Sequence, residues 1–210
     1  MKKILFFATL LLLGFTACDQ SENIIADIPS DDNGVVINGV RWATRNVDAP
    51  GTFAQNPEDA GMFFQWNRKV GWTNVDGSPL NSNGETNWNR GNQGGTEWDA
   101  DNDPCPDGWR LPTQAELVKL RSANNSWATR NGVRGRVFGT VPNRIFLPAA
   151  GWLYGGNGTH NDNTTLGLYW SSSIAAANNQ SRNLTFSNSL AGMRSNTRNA
   201  GYSIRCVAEQ

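Results

Sequence analysis

Histidine, cysteine, methionine and net charge are all scarce in this chain. Its 210 residues include 1 His, 3 Cys and 3 Met, and 18 basic side chains balance 18 acidic ones. That balance lacks the positive excess by which general nucleic-acid binders attract their ligand, so no nucleic-acid partner is expected. One histidine leaves few candidates for a Ser-His-Asp or Cys-His site, and the chain has neither a glycine-rich phosphate loop nor zinc-ligand spacing. We therefore do not expect an enzyme.

Glycine, asparagine and aromatic residues are abundant instead. The chain contains 22 Gly, 9 Trp and 9 Phe, a composition that favours many turns around aromatic clusters over long helices. At this length, one well-buried domain with some additional chain is expected.

The first 17 residues resemble a bacterial secretory signal. Two lysines precede an apolar run, 4–13, that is too short to span a membrane. Small residues directly before Cys18 are similar to a lipobox, in which the cysteine is diacylated and becomes the mature N-terminus. We predict a lipoprotein signal peptide at 1–17 and lipidation of Cys18. An ordinary cleaved signal that leaves a free thiol is the alternative.

Residues 18–34 contain several acids but no base and no aromatic residue. Such a segment cannot bury enough apolar surface to order itself, so we predict a flexible acidic tether before a folded domain at 35–210. Together with the lipid, this tether predicts an outer-membrane lipoprotein that is exposed at the cell surface. The lipid alone would hold it to the membrane.

Cys105 and Cys206 remain once Cys18 is set aside. An even pair in a chain that leaves the reducing cytosol predicts a disulfide. A reactive thiol is the alternative, but it would need a base, and the only histidine, His160, lies in a loop rich in Gly and Asn. The bridge would fasten the end of the chain to the middle of the domain.

Local patterns predict a hairpin and two short helices. Two β-prone runs flank Asn-Gly within 35–42, a strong hairpin signal. Asn56 and Pro57 are typical of a helix start and predict a first helix that carries Met62, Phe63 and Trp66 toward the core. A second helix is expected from the capping-box spacing at 113–116 to about 124, with two leucines on its buried face.

The rest of the domain is expected to consist of a long loop and several strands. Residues 71–104 show no period and predict a loop system held by buried tryptophans at 72, 88 and 98. Strands are predicted at 145–147, 168–170, 182–186 and 202–207. The fold class that follows is α+β: two short helices and a twisted antiparallel sheet in a loop-rich domain.

Five blocks of the chain support a more specific interpretation. They are 61–66 (GMFFQW), 103–113 (DPCPDGWRLPT), 147–152 (LPAAGW), 167–173 (GLYWSSS) and 201–207 (GYSIRCV). In sequence and in order they resemble the motifs of the Fibrobacter succinogenes major paralogous domain (FISUMP). The resemblance implies a C-type-lectin-like fold, a secreted lipoprotein of Bacteroidetes type and the pairing of Cys105 with Cys206. Trp109, Trp152, Trp170 and Tyr202 would then belong to the core, locking loops onto the sheet.

A polar C-terminal region is the predicted binding surface. Residues 163–208 contain no acid, and strand alternation over 182–188 would bury Leu184 and Phe186 while turning Asn183, Thr185 and Ser187 outward. The region resembles in outline the C-terminal segments that retroelements diversify in C-type-lectin-like proteins. A soluble polar edge without a ligand is the alternative. The predicted ligand-binding residues are Asn178, Asn179, Ser181, Asn183, Thr185, Ser187, Arg194, Asn196, Arg198 and Asn199.

Acidic residues in the middle of the chain raise two further possibilities. Asp99, Asp101 and Asp103 alternate as calcium ligands do in loops, but the rest of an EF-hand pattern is missing. Solvated turn acids are the simpler interpretation, and we expect no cofactor. A glycosidase needs only two carboxylates, for which Glu85, Glu97 or Asp101 are candidates.

The sequence therefore supports three hypotheses. The first is a non-catalytic cell-surface recognition lipoprotein that binds a glycan or protein ligand through its polar C-terminal face. The second is a structural component of a cell-surface or fimbria-like assembly. The third is a carbohydrate-active hydrolase.

Overall fold

A computed structural model describes residues 33–161, 164–177 and 179–209. The predicted signal peptide, Cys18 and nearly all of the predicted tether lie outside these residues. One α-helix, α1 (Gln114–Ser122), and one 3₁₀ turn (Ala100–Asn102) are found among the described residues. The strands are β1 (Val35–Ile37), β2 (Val40–Trp42), β3 (Phe63–Gln65), β4 (Gly71–Val75), β5 (Ser78–Asn81), β6 (Trp109–Arg110), β7 (Asn125–Arg130), β8 (Val133–Thr140), β9 (Asn143–Pro148), β10 (Trp152–Leu153), β11 (His160–Asn161), β12 (Gly167–Ile174), β13 (Gln180–Phe186), β14 (Ala191–Thr197), β15 (Gly201–Tyr202) and β16 (Val207–Ala208).

These strands form four sheets. Their strand orders are β1-β2-β16-β6, β11-β10-β15-β3-β4-β5, β12-β13-β14 and β7-β8-β9, and the neighbouring strands run antiparallel. The predicted α+β, C-type-lectin-like class with two helices and one twisted sheet is therefore wrong. Across the described residues the fold is mostly β, with a single helix.

The first predicted helix does not form. The start signal at Asn56 instead belongs to a turn, in which the Asp59 carboxylate accepts a hydrogen bond from the Asn56 backbone at 2.8 Å. Phe63 and Phe64 then enter β3, and they are buried in different apolar clusters. Successive side chains of a strand point to opposite faces, so both faces of this strand are covered. A run of apolar residues that is buried on two sides looks the same in a strand as in a buried helix.

The second predicted helix is confirmed as α1. The Thr113 side chain accepts a hydrogen bond from the Glu116 backbone, and the Glu116 side chain accepts one from the Thr113 backbone, which completes a capping box. Leu117 and Leu120 are buried in the core beside Tyr169. No helix in the described part of the chain, α1 included, is long and apolar enough to cross a membrane.

The predicted hairpin is also confirmed, as β1–β2. Asn38 and Gly39 form its turn with φ values of 49° and 77°. Both angles lie in the left-handed region that a two-residue type I′ turn requires, which explains why the Asn-Gly pair specifies it.

The predicted loop at 71–104 is partly ordered into strands. Residues 71–81 contain the hairpin β4–β5, and the irregular part begins after Asn81. Trp72, Trp88 and Trp98 are buried as predicted. Three tryptophans thus hold the segment against the body of the domain.

The predicted disulfide between Cys105 and Cys206 is present, with Cα atoms 6.1 Å apart. Beside it, the buried Arg205 donates hydrogen bonds to the Asn46 side chain at 2.8 and 3.0 Å and to the Phe146 carbonyl at 3.0 Å. These contacts fasten the final segment to two distant parts of the chain. They position β15, which carries Tyr202, within the six-stranded sheet.

Candidate functional site

The sheet β12-β13-β14 has a different environment on each face. Tyr169, Leu184 and Phe186 pack against α1 in one apolar cluster. Leu168 and Trp170 point the other way, into a second cluster that also contains Tyr202. The sheet therefore lies between two layers of the domain.

The second face continues outward as a polar surface. In the strand register, Thr185 is opposite Leu168, and Asn183 is opposite Trp170 on one side and Arg194 on the other. Cross-strand partners share a face of a sheet, so these residues form two neighbouring rows on one face, each of which passes from apolar to polar.

A cleft of about 720 Å³ opens at this polar edge. We call it the C-terminal cleft. Its aromatic wall consists of Trp152, Tyr154 and Tyr202. Its polar wall consists of Asn92, Thr185, Arg194, Ser195, Asn196 and Asn199. Four of the ten predicted ligand-binding residues, Thr185, Arg194, Asn196 and Asn199, therefore lie together in one concave site.

The aromatic wall is a connected group of rings. The Trp152 ring lies 6.0 Å from that of Tyr154 and 6.4 Å from that of Tyr202, both edge to face. Tyr202 stacks on the buried Trp170 at 4.2 Å, and burial raises the pKa of its hydroxyl well above the ordinary 10.0. Tyr154 is 52% exposed. The exposed Tyr154 ring therefore packs on Trp152, which in turn contacts the buried ring of Tyr202.

The backbone beside Tyr154 is held by two side chains. The indole of Trp88 donates a hydrogen bond to the Gly155 carbonyl at 2.9 Å, and the Asn199 amide donates a second one at 3.3 Å. A Cβ at Gly155 would collide with the Asn199 amide. Only glycine permits this close approach, so the packing of Asn199 against this segment requires glycine at position 155.

Asn199 also connects the cleft to the loop before the 3₁₀ turn. Its backbone N–H donates to the Asn92 side chain at 3.0 Å, and its amide donates to the Arg90 carbonyl at 3.0 Å. Asn92 thereby reaches the cleft from a loop that is 107 residues from Asn199 in the sequence.

Arg194 contributes the positive charge of the polar wall. It is exposed on β14, and its guanidinium forms no hydrogen bond or ion pair with any described residue. It is the single formally charged side chain among the described residues that line the cleft. A guanidinium that no described side chain occupies is available to a ligand.

Two predicted ligand-binding residues lie beneath this surface rather than on it. Asn183 is 0% exposed; its amide donates to the Thr185 hydroxyl at 2.8 Å, and its carbonyl oxygen accepts from Asn196 at 3.0 Å. Ser181 is buried as well and accepts a hydrogen bond from Arg198. The prediction that Asn183 is exposed is wrong, because Thr185 and Asn196 bond to its amide on the same face and leave it buried.

Arg198 is likewise a structural residue. It is 2% exposed, and its guanidinium lies 4.1 Å from the centroid of the Trp66 ring. It donates hydrogen bonds at 3.0 Å to the carbonyls of Gln93 and Gly95. All of these partners are protein groups, so Arg198 holds the loop at 93–95.

The remaining predicted residues lie elsewhere. Asn178 lies outside the described residues. Asn179 is exposed in the turn before β13, where its carbonyl accepts a hydrogen bond from the Arg198 backbone. Ser187 lies at the far end of β13, where its carbonyl accepts from Arg136. Neither Asn179 nor Ser187 lines the C-terminal cleft.

Two of the three acids proposed for calcium accept hydrogen bonds from the backbone, and the third, Asp101, lies in the 3₁₀ turn. Asp99 accepts a hydrogen bond from the Asp101 backbone at 3.1 Å and begins the 3₁₀ turn. Asp103 accepts from the backbone of Cys105 and of Leu111, both at 2.9 Å, while burial raises its pKa. No group of three acidic, histidine or cysteine side chains in the described residues is arranged to hold a metal ion.

The sequence prediction missed the aromatic wall. Tyr202 belongs to the core as predicted, at 2% exposed, and Trp152 packs against the same cluster, whereas Tyr154 is not among the predicted binding residues. A usable signal exists, because Trp152 and Tyr154 are two residues apart and side chains at that spacing share a face in an extended segment. The Gly-Gly pair that follows Tyr154 predicts a turn there, and turns lie at the surface.

Comparison with known proteins gives one family match. Residues 123–207, less than half of the chain, match the family model described as a domain of unknown function (DUF8237). The match spans the chain from β7 to the start of β16 and includes the cleft residues from Trp152 to Tyr202. No curated protein and no solved structure matches the chain.

Proposed function

We propose that this protein is a non-catalytic recognition lipoprotein of the cell surface that binds a glycan in the C-terminal cleft. The observation that carries the proposal is the meeting of an aromatic wall and an amide-rich wall in one open cleft. A sugar ring has apolar C–H faces and a rim of hydroxyls. Tyr154 and Trp152 suit the faces, and Asn196, Asn199 and Thr185 suit the hydroxyls.

The chemistry of the cleft supports binding over hydrolysis. The described lining residues include no carboxylate, imidazole or thiol. A glycosidase needs two carboxyl groups on either side of the bond that it cleaves. The candidate acids for this role, Glu85, Glu97 and Asp101, all lie outside the lining.

The cellular setting is part of the same proposal. The lipobox-like residues before Cys18 support lipidation and export, and the acidic segment after it supports a tether that lifts the domain from the membrane. The five ordered motif blocks support membership of the FISUMP family. That family's expected cysteine pairing agrees with the disulfide between Cys105 and Cys206.

An oligosaccharide array with the purified full-length protein tests the proposal. The wild type should retain a defined set of glycans, and Tyr154→Ala should weaken their binding about five- to thirtyfold. This loss corresponds to roughly 1 to 2 kcal/mol of apolar contact. Leu190→Ala is the matched control, because it removes a similarly exposed apolar side chain outside the cleft.

Two results would contradict the proposal. If the array retains no glycan and the protein instead copurifies with envelope proteins, the structural-component hypothesis replaces it. If Tyr154→Ala and Leu190→Ala bind equally well and unfold at the same denaturant concentration as the wild type, the C-terminal cleft is not the binding site.

A further inference from the structure

The C-terminal cleft has an unbalanced charge. Arg194 projects from β14 on the face that it shares with Thr185 and Asn196, and its guanidinium has no hydrogen-bond or ion-pair partner among the described residues. The lining has no described carboxylate, and 164–208 contains no Asp or Glu. The positive charge is therefore not neutralised within the described site.

The position of Arg194 differs from that of the other arginines near the cleft. The guanidinium of Arg198 is buried against Trp66 and bonded to backbone carbonyls, and Arg182 donates to the Ser195 hydroxyl at 2.9 Å. Both side chains are occupied in holding the fold. Only Arg194 combines exposure, a place in the lining and the lack of a partner among the described residues.

We infer that the ligand is an acidic oligosaccharide whose sugar carboxylate binds Arg194. This inference rests on the proposed function and names its ligand class. A planar guanidinium matches a carboxylate in geometry and can donate two parallel hydrogen bonds to it. The aromatic wall and the amides across the cleft would hold the rest of the same molecule. The volume of about 720 Å³ lies within the range of small-ligand sites.

The arrangement also accounts for the absence of a carboxylate among the described lining residues. A carboxylate on the protein would either neutralise Arg194 or repel the acid of the ligand. Because the guanidinium is exposed, the charge pair would form in contact with solvent and would weaken as salt is added. Selectivity for acidic over neutral sugars should therefore be greatest at low ionic strength.

The test uses uronic-acid and sialic-acid oligosaccharides, each paired with its carboxyl-reduced form. Binding of the full-length protein is measured by titration calorimetry for every pair that the array identifies. The acidic member should bind at least tenfold more tightly, and Arg194→Ala should remove that preference, a loss of about ten- to hundredfold. Arg194→Lys should restore it only in part, because lysine keeps the charge and loses the planar pair of donors.

Arg134→Ala is the matched control. Arg134 is exposed on β8, outside the cleft, and its replacement changes the net charge by the same amount. This variant should bind acidic sugars as the wild type does. A fall in binding equal to that of Arg194→Ala would show that net charge, and not Arg194, attracts the ligand.

The outcomes separate this inference from the proposed function. If acidic and reduced sugars bind within twofold of each other while Tyr154→Ala still loses binding, the inference is wrong and the proposed function stands. If sulfated sugars bind and carboxylated ones do not, the assignment of a carboxylate is wrong. If no member of any pair binds while the array retains neutral glycans, the inference alone is wrong. If the array retains no glycan at all, both proposals fall.

Discussion

Replacing Arg198 with alanine should loosen one wall of the C-terminal cleft. The Arg198 guanidinium lies 4.1 Å from the ring centroid of Trp66. It donates hydrogen bonds at 3.0 Å to the Ser181 hydroxyl and to the carbonyls of Gln93 and Gly95. The variant therefore loses the groups that attach the loop at 93–95 to β13.

The expected cost is about 3 kcal/mol of the free energy of unfolding. A hydrogen bond from a charged donor contributes about 1.5 to 3 kcal/mol, and a desolvated cation over an aromatic face about 0.5 to 2 kcal/mol. The full sum is not expected, because the freed carbonyls of the loop can turn toward water. Arg198→Lys should recover part of the loss, since an ammonium can still reach one carbonyl but cannot reproduce the planar set of donors.

Urea unfolding followed by tryptophan fluorescence measures this free energy, and hydrogen exchange over 89–95 locates the change. Exchange in that segment should accelerate in Arg198→Ala, and glycan binding should weaken because Asn92 and Asn199 lose their alignment. Arg134→Ala should stay within about 0.5 kcal/mol of the wild type, as an exposed surface substitution does. The reasoning is refuted if Arg198→Ala unfolds like the wild type with unchanged exchange but loses glycan binding. That pattern would mean that Arg198 contacts the ligand.

Two further predictions concern the rest of the domain. Replacing both Cys105 and Cys206 with serine should lower the free energy of unfolding by about 4 to 5 kcal/mol, because the bridge closes a loop across a sequence separation of 101. Urea unfolding checks this, and a loss below about 1 kcal/mol would contradict it. Burial opposes the ionisation of Glu116, but hydrogen bonds from Arg110 and Thr113 outweigh it and hold its pKa below the ordinary 4.5. A lowered carboxyl pKa stabilises the fold above pH 4.5 and loses that effect as the pH falls through the folded pKa. Unfolding measured against pH should therefore show a shallower acid decline in Glu116→Gln, and identical curves would refute the role of Glu116.

The hairpin and the capped helix were predicted correctly because short-range contacts specify them. The Asn38-Gly39 turn needs two left-handed residues in succession, and α1 begins where the side chains of Thr113 and Glu116 exchange hydrogen bonds with the backbone. Each signal lies within a few residues of the structure that it determines. The predicted helix at Asn56 failed because its start signal also suits a turn, and because the apolar residues after it are buried by sheet neighbours from elsewhere in the chain.

The candidate site was predicted only in part, for a related reason. Period-two alternation places Thr185 on the polar face of β13, and it is found there in the cleft. The same alternation places Asn183 on that face, yet it is buried. Alternation identifies which side chains share a face, but it does not reveal whether another segment covers that face.

By itself, the sequence determined the hairpin, the capped helix and the pairing of Cys105 with Cys206, since local backbone chemistry and the count of cysteines specify them. The tertiary structure alone decided which polar residues meet in the C-terminal cleft. Arg198 is bonded to Gln93 across 105 positions, and Asn199 to Asn92 across 107. Contacts over such separations depend on how the sheets pack against one another, and no local pattern encodes that packing.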